Sequence, residues 1–343
     1  MNTTPSFKSL TTPYSLGKVN FDASLNAVRE ELASDHVPEP LNGGHYIDGL
    51  GGRVHYRAYM PQSHTMGTII GLHGATHNSG FYHDIGVQAS LAGYKFYALD
   101  MPGHGDSYHR PDGNYTYDNL TDEIQHCIEQ IIPATDRGQL CKIGSSLGGQ
   151  AFMVLSERIA GAATVLNDIG PLISAQVHYL VIKNFEDDKA HSLDDMITTA
   201  GKRYMAYGMT ESAGTTEFIR ASLESRTNGD EKLYRYKLDK NFGSIYRNVA
   251  VNPQYADDKP AHHRDHGIKG SDLTKQFKKI KEPILMLHGQ ESRFFNLQQL
   301  ENCFAGNVEQ IISVEKAGHP VALSNQGLNT QIIQFLNEKL EAV

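Results

Sequence analysis

The chain has 343 residues, 39% apolar and 20% charged, with a formal net charge of −8, enough for one large domain with an insertion or for two domains. The acidic balance and the absence of a long basic run argue against a nucleic-acid partner, and Lys275-Gln276-Phe277-Lys278-Lys279 reads as a solvated helix face. Cys127, Cys141 and Cys303 are too few and scattered for a disulfide framework, and neither a signal-like start nor a run of about 18 apolar residues appears, so a cytoplasmic protein without membrane contact is the expectation.

Residues 1–43 are polar, carry four prolines and hold one amphipathic stretch at 23–32, so they read as an N-terminal extension packed on or leading into the core. Short β-like runs at 44–47 and 54–59 flank Asp48-Gly49-Leu50-Gly51-Gly52-Arg53. Those glycines suit positive φ in a tight reversal, and the two runs read as an antiparallel hairpin. Apolar runs at 68–72, 95–100 and 140–143 follow, each leading into a glycine-containing loop, with helical spacing at 82–92 and 117–132 between them. A helix opens at Ser146 and continues through 151–159, and 163–166 is a further strand. This alternation predicts an α/β fold, a mostly parallel sheet with helices on both faces.

Segment 171–281 breaks the rhythm. It is polar, rich in Tyr and Met, and reads as helices at 194–207, 215–223 and 271–279. Lying between two strands, it is placed as a helical cap over the C-terminal edge of the sheet, where ligands bind in open parallel sheets. Strands at 284–287 and 310–314 and an amphipathic helix at 328–340 complete a core of residues 44–170 and 282–343.

Gly144-Ser145-Ser146-Leu147-Gly148 stands directly after an apolar run and directly before a helix. Glycines on both sides permit the sharp turn that exposes a serine hydroxyl, and the helix N-terminus adds positive potential for a developing oxyanion. On this motif the chain resembles the α/β-hydrolase superfamily, as a capped member with a serine nucleophile. The resemblance spans 44–170 and 282–343 and implies the α/β-hydrolase fold, with Ser146 as the nucleophile. His73-Gly74-Ala75 resembles the oxyanion loop, which implies the backbone N–H groups of Ala75 and Leu147 as oxyanion-hole donors. Asp100-Met101-Pro102-Gly103-His104-Gly105-Asp106-Ser107 resembles a structural loop, so His104 and Asp106 are assigned no direct chemistry. Lys316-Ala317-Gly318-His319-Pro320 resembles the catalytic-histidine loop, which implies His319 as the base.

The acid is where the pattern departs. Superfamily members usually place an aspartate three or four residues beyond the glycine of Leu287-His288-Gly289, and here Ser292 and Arg293 stand there. Asp168, in Asn167-Asp168-Ile169-Gly170-Pro171, is the assigned substitute, because some members carry the acid after that strand. Glu291 is the alternative acid, one position from the usual place.

The remaining candidates have plainer readings. His262, His263 and His266, with Asp265, read as a solvated loop rather than a zinc site, so no metal and no cofactor is expected. Tyr204, Met205, Tyr207 and Met209 read as cap packing rather than pocket lining, while His77 and His83 stand as candidates for the pocket mouth. The functional expectation is a serine esterase that cleaves a small-molecule ester, thioester or lactone through an acyl-Ser146 intermediate. A C–C bond hydrolase or acyltransferase with the same serine set, and a non-catalytic ligand-binding protein on the same fold, remain the alternatives. Composition leaves the oligomeric state open.

Overall fold

The computed structural model describes residues 7–34, 44–63, 65–186, 191–249, 252–257, 267–295, 297–301, 303 and 307–341. His262, His263, Asp265 and His266 lie outside the described residues. In chain order the strands are β1 (Thr11–Ser15), β2 (His45–Asp48), β3 (Arg53–Tyr59), β4 (Gly67–Leu72), β5 (Tyr94–Leu99), β6 (Leu140–Ser145) and β7 (Ala163–Asn167). They continue with β8 (Leu172–Ile173), β9 (Leu223–Asn228), β10 (Glu231–Tyr236), β11 (Ser271–Asp272), β12 (Ile284–Gly289) and β13 (Val308–Glu315).

Nine of these form one sheet in the order β1-β13-β12-β7-β6-β4-β5-β3-β2. Every neighbouring pair is parallel except β5 with β3 and β3 with β2. Strands β4, β6 and β7 are buried at every position, as parallel strands covered on both faces must be.

The helices are α1 (Phe7–Leu10), α2 (Asp22–Ala33), α3 (His83–Leu91), α4 (Tyr117–Ile131), α5 (Leu147–Val154) and α6 (Ala175–Glu186). They are followed by α7 (Leu193–Met205), α8 (Ala213–Ala221), α9 (Ser244–Asn248), α10 (Thr274–Phe277), α11 (Leu297–Glu301) and α12 (Gln326–Leu340). Helix α4 starts with a capping box. Asn119 N–H donates to Thr116 Oγ1 at 3.1 Å, and Thr116 N–H donates to Asn119 Oδ1 at 3.0 Å.

Two apolar cores result. In one, Leu120, Ile124 and Ile128 of α4 and Phe152 of α5 pack with Ile70 and Leu72. In the other, Ile85 and Ala89 of α3 and Ile332 and Leu336 of α12 pack with Ile69, Phe96 and Val165. No helix among the described residues is long and apolar enough to cross a membrane.

Three sequence expectations change and one gains a strand. The reversal between β2 and β3 closes through Gly49 N–H to Gly52 O at 2.8 Å, yet none of its glycines has positive φ. They are needed for space instead. A Cβ on Gly52 would stand 2.5 Å from Tyr108 Cγ, and one on Gly49 would overlap the Glu123 carboxylate. Second, residues 11–15 within the N-terminal region form β1, which pairs with β13 from Thr11–Ile311 to Ser15–Glu315. Third, 271–279 is not one helix. Ser271 and Asp272 pair with Ile173 and Leu172, and Asp272 Oδ1 accepts Thr274 N–H at 2.8 Å to start the single turn of α10. Fourth, the helix after Ser146 ends at Val154, and residues 155–158 continue as turns.

Segment 171–281 thus contains α6 to α10 together with the β9–β10 hairpin and the short β8–β11 pair. Its apolar residues enter both cores, Ile182, Phe185 and Phe242 on one side and Met196, Tyr204 and Phe218 on the other. A buried ion pair between Glu217 of α8 and Arg57 of β3, at 2.7 Å, joins the segment to the sheet.

Candidate active site

Strand β6 ends at Ser145 and α5 begins at Leu147, so Ser146 alone makes the turn, with φ 49° and ψ −115°. A non-glycine residue in such a region costs of order 1–3 kcal/mol and persists only where its surroundings dictate it. Here Ser146 N–H donates to Asn167 O, and Gln150 N–H donates to Ser146 O, both at 3.1 Å. The flanking glycines are required by close approach. A Cβ on Gly148 would overlap the Leu72 carbonyl of β4, and one on Gly144 would stand 2.6 Å from the Gly149 backbone.

His319, in the loop after β13, places Nε2 at 2.7 Å from Ser146 Oγ and Nδ1 at 2.8 Å from Asp168 Oδ2. A carboxylate only accepts, so the consistent pairing has Nδ1–H donating to Asp168 and the Ser146 O–H donating to Nε2. Asp168 directly follows β7, is fully buried and has φ 52°. Its second oxygen, Oδ1, accepts Gly289 N–H at 2.9 Å.

Glu291 is exposed at the cleft edge, donates its N–H to Ala317 O at 2.9 Å, and has no hydrogen bond to His319 among the described residues. Ser292 and Arg293 form the turn after β12, where Ser292 N–H donates to Gly289 O at 2.9 Å and Ser292 Oγ accepts Phe294 N–H at 3.2 Å. That turn delivers Phe294, whose ring stacks on the His319 imidazole with centroids 4.2 Å apart and planes 3° apart.

Two residues in contact with this arrangement are not among the candidates the sequence offers. Phe294 is one. Asn167 is the other, and its Nδ2 donates to Ser145 Oγ at 3.0 Å and to Val321 O at 2.8 Å. Its Oδ1 accepts Val321 N–H at 3.2 Å. One buried amide therefore ties the elbow strand to the histidine loop. Its place in Asn167-Asp168, at the end of a buried strand beside the assigned acid, was the only available clue.

The Gly74–Ala75 loop is fixed from beneath. His73 is fully buried, its Nδ1–H donating to Gly74 O at 2.8 Å and its Nε2 accepting Met101 N–H at 2.9 Å. The Ala75 and Leu147 N–H groups have no hydrogen-bond partner among the described residues, and Ala75 lines the cleft beside Ser146.

His55, Asp100 and Asp106 form the one cluster with metal-ligand proximity among the described residues. Their contacts are internal. Asp100 pairs with His55 Nδ1 at 2.7 Å, accepts Asp106 N–H at 3.0 Å and takes Ser79 N–H from the end of the loop after β4. Burial pushes the Asp100 carboxyl up, but His55 and the surrounding donors outweigh it and hold the group below the usual carboxylate range. Asp106 also pairs with Lys237 at 2.7 Å, and His104 is buried with Nδ1 3.2 Å from Pro102 O; neither lines the cleft.

A cleft of about 310 Å³ opens over Ser146 and His319. Its walls include Thr76 and His77 from the loop after β4, Val181 and Asn184 from α6, Tyr207 after α7, and Phe294. His77 is buried in this wall rather than standing at a mouth. His83 lies away from it, with Nδ1 3.4 Å from Tyr59 OH. Of the Tyr and Met group, Tyr207 lines the cleft, Tyr204 and Met209 are core, and Met205 is exposed.

A mostly parallel sheet with a serine at the turn after β6 and a histidine after its last strand defines an α/β-hydrolase. The chain belongs to the serine aminopeptidase S33 family of that superfamily, whose model matches residues 63–320. It is a hydrolase by family. It is similar to the AB hydrolase superfamily protein YisY of Bacillus subtilis (strain 168), 21% identical over 310 residues, 86% of this chain and 99% of that one. In structure it is similar to a putative hydrolase from Rickettsia typhi, with TM-score 0.68, 18% identity, and 86% of this chain and 98% of that chain covered. It is also similar to E-2-(acetamidomethylene)succinate hydrolase, with TM-score 0.66, 17% identity and the same coverage. At these identities the structural likeness concerns the fold.

Proposed function

We propose that this chain is a serine hydrolase that cleaves a small ester, thioester or lactone through an acyl-Ser146 intermediate. The observation that carries the reading is the continuous chain Asp168–His319–Ser146, with contacts of 2.8 and 2.7 Å beneath an accessible cleft. His319 Nε2 takes the hydroxyl proton as Ser146 Oγ attacks the carbonyl carbon, and Asp168 stabilises the imidazolium that forms. The N–H groups of Ala75 and Leu147 receive the oxyanion, the second at the N-terminus of α5. His319 then returns the proton to the departing alcohol, thiol or ring oxygen. Water attacks the acyl-enzyme with His319 again as base, which releases the acid and restores Ser146.

Residues 171–281 act as a cap in this reading, since α6 and the turn after α7 supply part of the cleft wall. The test is labelling with a fluorophosphonate together with a panel of 4-nitrophenyl esters of varied acyl length. Wild-type protein is expected to be labelled and to turn over at least the short esters, and Ser146→Ala to do neither. Absence of labelling in the wild type would instead favour a binding protein on this fold. Capture of the acyl group by an added alcohol in preference to water would mark an acyltransferase.

A further inference from the structure

His77 differs from the other buried histidines. His55 and His178 each have a ring nitrogen in a hydrogen bond, and His73 has both. His77 is 1% exposed, and neither Nδ1 nor Nε2 has a hydrogen-bond partner among the described residues. An unpaired buried polar group costs stability, so it calls for a reason. The ring is not loose. It stacks on Phe81 at 4.9 Å and is enclosed by Tyr207 at 5.0 Å and Phe218 at 5.4 Å.

Burial, with lesser repulsion from neighbouring histidines and Arg203, pushes the His77 imidazolium well below its ordinary range. The ring is therefore neutral at neutral pH and offers one N–H donor and one acceptor. Its position is close to the chemistry. A Cβ built on Gly74 would stand 3.2 Å from Ser146 Cβ and 3.3 Å from His77 Nδ1, so both side chains flank the same point. His104 also has an unpaired Nε2, but it bonds through Nδ1 and lies outside the cleft wall.

We propose that His77 is a substrate-binding residue whose N–H donates to an electronegative atom of the acyl group, one or two bonds from the scissile carbonyl. The preferred substrates are then 2-oxygenated or 2-amido acyl compounds rather than plain alkyl esters. The acyl side follows from the arrangement. The leaving group must reach His319 Nε2 to be protonated, whereas His77 belongs to the loop whose N–H binds the carbonyl oxygen. Around it Phe81, Tyr207 and Phe218 offer mainly apolar surface, so a polar acyl substituent on this side would take its hydrogen bond from the imidazole. This inference rests on the serine-hydrolase reading above.

The experiment compares two nearly isosteric esters, 4-nitrophenyl butyrate and 4-nitrophenyl methoxyacetate, in which one methylene becomes an ether oxygen. Wild type, His77→Phe, His77→Asn and Ser146→Ala are assayed. The ratio of kcat/KM for methoxyacetate to that for butyrate, taken relative to wild type, cancels the higher intrinsic reactivity of methoxyacetate. His77→Phe is expected to lower that ratio roughly tenfold or more, because methoxyacetate loses a hydrogen bond that butyrate never makes. His77→Asn, whose amide can still donate, recovers part of the ratio. The melting temperature of His77→Phe equals or exceeds that of wild type, because the unpaired nitrogens are gone. If the phenylalanine variant does not fold, His77→Leu supplies the same comparison. Ser146-dependent turnover with an unchanged ratio, or an equal fall for both esters, overturns the role of His77 alone. No Ser146-dependent turnover of either ester overturns the serine-hydrolase reading and this inference with it.

Discussion

The backbone N–H of Gly289 donates to Asp168 Oδ1 at 2.9 Å. Strand β12, after which superfamily members usually place the acid, here orients a carboxylate that comes from the end of β7. With Oδ1 held by that N–H and Oδ2 facing His319 Nδ1 at 2.8 Å, each oxygen has a separate partner and the carboxylate plane is set.

Replacing Asp168 should therefore remove the orientation of His319 while leaving Ser146 in place. Asp168→Asn is expected to lower kcat by about 10³–10⁴-fold, because an amide N–H directed at Nδ1 selects the imidazole tautomer that cannot accept the Ser146 proton. Glu291→Gln is expected to stay within about threefold of wild type, since Glu291 makes no contact with His319 that a glutamine would lose. Steady-state ester hydrolysis measures both. A large loss in Glu291→Gln with a small one in Asp168→Asn would reverse the assignment.

Asn167 provides a separate test of positioning. Its side chain makes three hydrogen bonds, to Ser145 Oγ and to the C=O and N–H of Val321, all buried. Asn167→Ala leaves the Val321 N–H and C=O unpaired, each at a cost of about 1–3 kcal/mol. The urea midpoint is expected to fall, and kcat is expected to fall more than KM rises, because the His319 loop loses its tie to the elbow strand. Normal kcat in a destabilised protein would make Asn167 a purely structural residue.

What the sequence discloses depends on how local each feature is. The Ser146 turn is legible because strand, glycines and helix start lie within one short stretch, and steric demands at Gly144 and Gly148 force those residue types. The Asp168–His319 contact spans a sequence separation of 151, so sequence left Asp168 and Glu291 as competing candidates, and only the folded chain brings Asp168 Oδ2 to His319 Nδ1. Strand β1 was hidden for a related reason. Thr-Thr-Pro-Tyr-Ser has no apolar run, and it is a strand only because β13 offers an open edge, where Pro13 is tolerated. The β9–β10 hairpin likewise lacks a clean alternation, and its register is visible only in pairs such as Leu233 with Arg226.

Gly148 yields a prediction on stability. The overlap of an added Cβ would be with the Leu72 carbonyl, a main-chain atom of the central strand β4 that no rotamer change can move. Gly148→Ala is expected to cost at least about 1–3 kcal/mol, the range for overpacking a well-packed core, despite the better helix propensity of alanine. Urea denaturation at pH 7 reads the change. A variant as stable as wild type would mean that the elbow and β4 can separate.

Acid sensitivity should be traceable to His178. The residue is fully buried, with Nδ1 2.8 Å from Lys269 O and its ring 4.6 Å from that of Tyr246. Burial lowers its pKa from 6.5 to about 4. The unfolded chain binds a proton near pH 6.5 and the folded chain only near pH 4, so the unfolded state holds more protons between those values. Stability is therefore complete above the upper value, declines as pH falls through the window, and levels off below the lower one. The loss between pH 7 and pH 5 from this residue is about 2 kcal/mol. His73, His77 and His104 are shifted in the same direction by burial and add to the wild-type decline. His178→Asn can still donate to Lys269 O but cannot titrate, so it isolates the contribution of this one site. Urea midpoints at pH 7 and pH 5 are expected to show a smaller fall for His178→Asn than for wild type. Identical falls in the two proteins would mean that His178 is protonated in the folded state at pH 5.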